Sequence, residues 1–175
     1  MSEQYNYNPL QSAEWADFDN GNLSINGDRL PIQMASSDGT GLPLLKNGGF
    51  GTDLIRFGAS EGVAEHKHIG QHFLFVLRGL GVVKYDGMDN SLYPGKCYMV
   101  ESDVPHAIYA DKDDSLVLLV VGDDHRGLAD PARMELTELG ELERLPDGTM
   151  PSYQGEILKA LKETQDIKPG SAYID

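Results

Sequence analysis

Between residues 50 and 122 the chain is a succession of short runs of Val, Leu, Ile, Phe and Tyr, at 53–57, 73–78, 80–85, 97–100, 107–110 and 116–121. Such side chains suit a pleated, half-buried surface. Between the runs stand turn formers: Gly58, Gly79, Asp86-Gly87, Pro94-Gly95 and Asp113-Asp114. No helical period interrupts the series. Six or more strands at this spacing can hide their apolar faces only by closing on one another, as an antiparallel sandwich or barrel. The sequence therefore predicts an all-β fold.

The flanks read differently. Residues 1–49 are polar and rich in Asn, Asp and Gly, with short apolar pieces such as Leu30-Pro31-Ile32 and Leu42-Pro43-Leu44-Leu45. They form an irregular N-terminal arm, expected to add an edge strand to the barrel or to a partner subunit. The Gly-rich stretch 48–51 lacks the lysine and helix of a nucleotide loop and reads as a turn. After Gly122 the pattern becomes acidic and helical. Asp130-Pro131 fits an N-cap with Pro at the first helical position, and a second helix is expected over 153–164, with Ile157, Leu158 and Leu161 on one face. The predicted organisation is an arm (1–49), a barrel core (50–122) and a C-terminal extension with short helices (123–175).

Composition removes several functions. The chain has 175 residues, 28 acidic against 14 basic, and a net charge of −14. Nucleic-acid binding needs a basic stripe that displaces counterions, so no such partner is expected. The longest apolar run, 116–121, is far short of a membrane span. The start, Met1-Ser2-Glu3-Gln4-Tyr5, has neither the basic residues nor the apolar stretch of a secretory signal, which predicts a cytoplasmic protein. A lone Cys97 cannot form an internal disulfide, in keeping with a reducing compartment.

Four of the five histidines then fall in one arrangement: His66, His68, His72, and His106 after Pro105. His66 and His68 are two apart, so on a strand both point to one face, about 7 Å apart along the chain and within reach of one ion. His72 has the same parity, but a straight strand carries it about 13 Å from His68. The segment Ile69-Gly70-Gln71 must bend, with Gly70 the residue suited to it. His106 has to arrive from another strand. The expected ligands of one divalent ion are His66, His68, His72 and His106. His72 can instead stand behind three ligating histidines, and the opposite parity of Gln71 disfavours it as an extra ligand. His125 reads as a solvated turn residue.

The segment 62–122 resembles a cupin domain. In the family's first motif, G-x5-H-x-H-x3/4-E-x6-G, the positions of His66, His68 and Gly79 fit, with Ser60 in place of the opening glycine. In the second, G-x5-P-x-G-x2-H-x3-N, Gly95 and His106 fit. Glu101, Asp103 and Ala110 replace the proline, inner glycine and asparagine. His72 stands where the family usually has glutamate, which is similar to the smaller group of cupins with four-histidine sites. The resemblance implies a double-stranded β-helix, or jelly-roll barrel, holding the metal inside on those four histidines.

Four neutral imidazoles leave the full charge of a divalent ion uncompensated, which favours an anionic substrate or hydroxide. Fe2+ is the expected ion; Mn2+, Zn2+, Ni2+ and Cu2+ also accept imidazole. By alternation Leu74, Val76 and Arg78 accompany His72 inward, and Ile108 accompanies His106. Tyr98, Arg56 and Tyr85 are the candidates to orient substrate, and Glu101 is the candidate general base. The expected function is a metal-dependent oxygenase, of dioxygenase type, acting on a small organic molecule. A non-redox zinc or nickel cyclase, isomerase or lyase is the alternative, and a small-molecule sensing module without catalysis is a second. A homodimer is expected, because an arm that can lend a strand suits a barrel with exposed edges.

Overall fold

The computed structural model describes residues 31–124, 126–137 and 144–152, together with two short strands, β1 (Trp15–Ala16) and β2 (Ser24–Ile25), which pair with each other. The remaining strands are β3 (Ile32–Gln33), β4 (Thr40–Asn47), β5 (Phe50–Phe57), β6 (Gly62–Lys67), β7 (His72–Gly79), β8 (Gly81–Tyr85), β9 (Met88–Leu92), β10 (Cys97–Val100), β11 (His106–Ala110), β12 (Leu116–Gly122) and β13 (Glu135–Leu136). They build two antiparallel sheets, ordered β10-β7-β12-β5-β4-β3 and β13-β6-β11-β8-β9. From β5 to β12 the chain passes back and forth between the sheets, the winding of a jelly-roll barrel. The all-β expectation holds.

The core lies between the sheets. Ile55 and Phe57 from β5, Leu74 and Val76 from β7, and Leu118 and Val120 from β12 meet Val63, Val83, Leu92 and Ile108 from the opposite sheet. Glycine makes one crossing and one hairpin possible. Gly79 has φ +78, and a Cβ there would lie 1.5 Å from the Ser115 carbonyl, so β7 can switch to β8 only through glycine. The β8–β9 hairpin turns on Asp86 and Gly87, both at positive φ, as a two-residue connection requires.

The arm adds strands to the edge of the barrel sheet, β4 pairing along β5 and β3 along β4. Pro43 is accommodated by a register shift between Pro43 and Leu45. β6 and β9 were not anticipated, because Gly-Val-Ala-Glu-His-Lys and Met-Asp-Asn-Ser-Leu lack strong strand formers. The helix expected at Asp130-Pro131 is a single 3-10 turn, Pro131–Arg133, with the Asp130 carboxylate accepting from the Ala132 amide at 2.9 Å. The helix expected over 153–164 lies outside the described residues, as does His125. Arg78 is exposed rather than inward. The register of β7 against β12 jumps between Arg78–Val117 and Val76–Leu118, so Leu77 is an extra residue and the facing parity reverses beyond it.

The outer face of β7 and β10 stays apolar. Phe73, Phe75, Leu77 and Met99 are exposed, with Phe73 opposite Met99 and Phe75 opposite Cys97. No helix among the described residues is long and apolar enough to cross a membrane.

Candidate metal centre

His66 is near the end of β6 and His106 begins β11, and the two are direct cross-strand partners. Their ring centroids are 4.2 Å apart. His68 lies just beyond β6, where the backbone leaves the sheet; its carbonyl accepts the Asp103 amide at 2.8 Å. Gly70 makes the bend, and a Cβ there would meet the Asp123 carbonyl at 2.3 Å. The fold thus brings His66, His68 and His106 together, with one ring nitrogen of each within 4.8 Å of the others.

Each of these rings is fixed by the main chain. Nδ1 of His66 donates to the Ala64 carbonyl at 2.8 Å, Nδ1 of His68 to Gly70 at 2.7 Å, and Nδ1 of His106 to Val104 at 2.8 Å. A proton on Nδ1 leaves the lone pair on Nε2, the tautomer that ligates a metal. Nε2 of His106 is buried without a hydrogen-bond partner among the described residues. A buried polar atom is seldom left so, and a metal ion would satisfy it. Burial lowers the proton affinity of all the rings: His66 is pushed down to about 3 and His106 to about 4, with His68 also lowered and His72 well below the ordinary range. Neutral imidazole is the form a metal needs. The donor set fits a divalent ion of the imidazole-accepting kind.

His72, the first residue of β7, stands beside this triad rather than within its tightest grouping. Its ring is 4.7 Å from that of His68 and 5.6 Å from that of His106, no farther than the 5.6 Å between His66 and His68. No backbone carbonyl fixes its ring among the described residues.

The histidines line a cavity of about 710 Å³, counting its open mouth. Its walls are apolar, with Ile55, Phe57, Leu74, Ile108, Leu118 and Met134 prominent. Among the described residues charge enters at Asp123, Asp124, Arg126 and Arg133, from the segment after β12. The candidate substrate residues are elsewhere. Arg56 alternates with Ile55 and Phe57, which face in, and so is on the outer face of β5. Tyr98 donates its hydroxyl to the Ser91 carbonyl at 3.1 Å, and both Tyr98 and Tyr85 pack against the core without lining the cavity. Glu101 is exposed in the turn after β10. Gln71 is exposed, its amide bonded to Asp123 Oδ1 at 2.6 Å. Sequence reasoning missed Arg133 and its buried partner Asp53. The one available signal was an acidic residue opening the apolar run 53–57.

The cupin domain family model matches residues 54–122. Among solved structures, the chain is similar to an RmlC-like cupin from Shewanella frigidimarina NCIMB 400, with 18% identity over 59% of this chain and 90% of that one and a TM-score of 0.53. It is also similar to the polyketide cyclase RemF from Streptomyces resistomycificus, with 18% identity over 60% and 85% of the two chains and a TM-score of 0.52. At such identity the likeness speaks to fold. No curated protein matches the sequence. The two wound sheets and the inward histidines agree with the family match, so residues 54–122 form a cupin domain.

Proposed function

We propose that this protein is a metal-dependent enzyme acting on a small organic molecule, and that its chemistry uses oxygen. The observation that carries the reading is the convergence of His66, His68 and His106, each with Nδ1 held by a main-chain carbonyl. His72 is the proposed fourth ligand. When bound, a redox-active ion such as Fe2+ supplies open coordination positions and one-electron chemistry with dioxygen. The chain's own part is to exclude water with apolar walls, orient the substrate and keep the imidazoles neutral. Among the described residues the cavity's carboxylates, Asp123 and Asp124, are engaged by the Gln71 amide and by Arg126; Asp53 is paired with Arg133, and Glu101 is off the cavity. That favours oxygen chemistry over a route needing a carboxylate base.

A second reading rests on His72. If it does not ligate, a neutral imidazole beside the ion can accept a proton, which suits a non-redox cyclase, isomerase or lyase using zinc or nickel as a Lewis acid. Elemental analysis of protein purified without added metal, followed by oxygen-electrode screening of small carboxylates and phenols, separates the two. Oxygen uptake supports the first, and turnover without uptake the second. Binding without turnover would leave a small-molecule sensing module. His66→Ala and His106→Ala should each strip the metal; full occupancy in both would overturn the site.

A further inference from the structure

Arg133, on the cavity wall, belongs to a charged pair that the metal site does not employ. Asp53 is fully buried, and its Oδ2 accepts a 2.8 Å hydrogen bond from Arg133 Nη2. Nη1 of Arg133 donates to the Arg126 carbonyl at 2.5 Å. Arg133 lines the same cavity as His66, His68 and His72, and its positive charge contributes to lowering the proton affinity of all three.

The pair is not needed as a latch. The segment carrying Arg133 is already seated by buried Leu128 and Met134, by the Ala35 amide on the Leu128 carbonyl, by the Thr137 amide on Glu65, and by β13 on β6. Apolar side chains could fasten it as well, since removing two charges from water offsets most of their mutual attraction. What a partly buried guanidinium adds is a rigid fork of five N–H donors. Asp53 and the Arg126 carbonyl each take one, and Nε–H meets no acceptor among the described residues.

We propose that Arg133, held in place by Asp53, receives the anionic group of the substrate, which is then a small molecule with a carboxylate or similar oxyanion on an apolar body. The assignment rests on reading the cavity as the substrate chamber. Its walls, Ile55, Phe57, Leu118 and Met134, take the apolar body. Because Asp53 already balances the charge of Arg133, a bare inorganic anion gains little there. Selectivity comes from carboxylate and apolar body together.

The test is calorimetric titration of metal-free and zinc-loaded protein with benzoate, and with benzamide as its neutral counterpart. Benzoate should bind one site in both forms, more tightly than benzamide. Arg133→Gln should weaken benzoate by at least about tenfold, the scale of a charge-assisted hydrogen bond, and leave benzamide unchanged. If Arg133→Gln fails to fold around an unpaired Asp53, the double variant Asp53→Asn/Arg133→Gln restores a neutral pair and serves instead. Equal benzoate affinity in wild type and the folded variant would overturn the proposal. So would benzoate binding that appears only with zinc and ignores Arg133, although the metal-enzyme reading would then stand. Arg133-dependent benzoate binding in a protein that takes up no metal would support the anion site while removing the metal reading.

Discussion

At the scale of single residues, the histidines were legible because their chemistry depends on parity and spacing, which a sequence displays. His66, His68 and His106 do converge. The Asp53–Arg133 pair was not legible, since its members are 80 residues apart and their meeting depends on how the chain leaves β12. Two predictions belong here. If His72 ligates, His72→Glu should retain the metal while removing about one unit of site charge. Azide should then bind more weakly to the cobalt-loaded variant, and the pKa of metal-bound water should rise; unchanged spectra and azide affinity would reduce the ligand set to the triad. The second concerns acid. His66 and His106 have folded proton affinities of about 3 and about 4, below the ordinary 6.5, so the unfolded chain binds more protons across that interval. Stability of the metal-free protein should be fully present above pH 6.5 and decline as pH falls toward 4 and then 3. Urea midpoints measured across this range should show the decline, and His66→Asn should flatten it. A pH-independent midpoint in the wild type would contradict the burial of these rings.

At the scale of elements, apolar strands such as β5, β7, β10 and β12 announce themselves because apolar residues stand on both their faces, whether packed or exposed. β9 does not, since it is a mostly exposed edge strand whose neighbour β8 supplies the pairing. Bulges are likewise silent in sequence, which is why the outward turn of Arg78 had to be observed. The loop between β6 and β7 is the element on which the site most depends. Gly70 supplies the carbonyl that fixes His68 while its Cα faces the Asp123 carbonyl at close range. Gly70→Ala should cost about 1–3 kcal/mol, as overpacking does, and lower metal affinity along with it. Thermal melts and a competitive chelator titration measure the two. Loss of stability with unaltered metal affinity would mean that the loop does not set the His68 ring.

At the scale of the whole molecule, the apolar outer surface of β7 and β10 calls for a partner. Exposed Phe73, Phe75, Leu77 and Met99 form neighbouring positions on a face that antiparallel sheets usually leave polar. A homodimer through this face is expected, with sedimentation giving twice 19.2 kDa at micromolar concentration. Phe73→Lys/Phe75→Lys should convert it to monomer, and a wild-type monomer at that concentration would refute the expectation. The manner in which the three imidazoles are held bears on the protein's history. Their acceptors are the carbonyls of Ala64, Gly70 and Val104, groups that every amino acid possesses. Mutation of the surrounding walls therefore leaves the orientation of the rings intact. Exchanges of Ile55, Leu118 and Met134 for apolar residues of similar volume would reshape the chamber without touching those acceptors. Libraries randomised at those three positions should yield mostly metal-replete proteins with divergent ligand preferences.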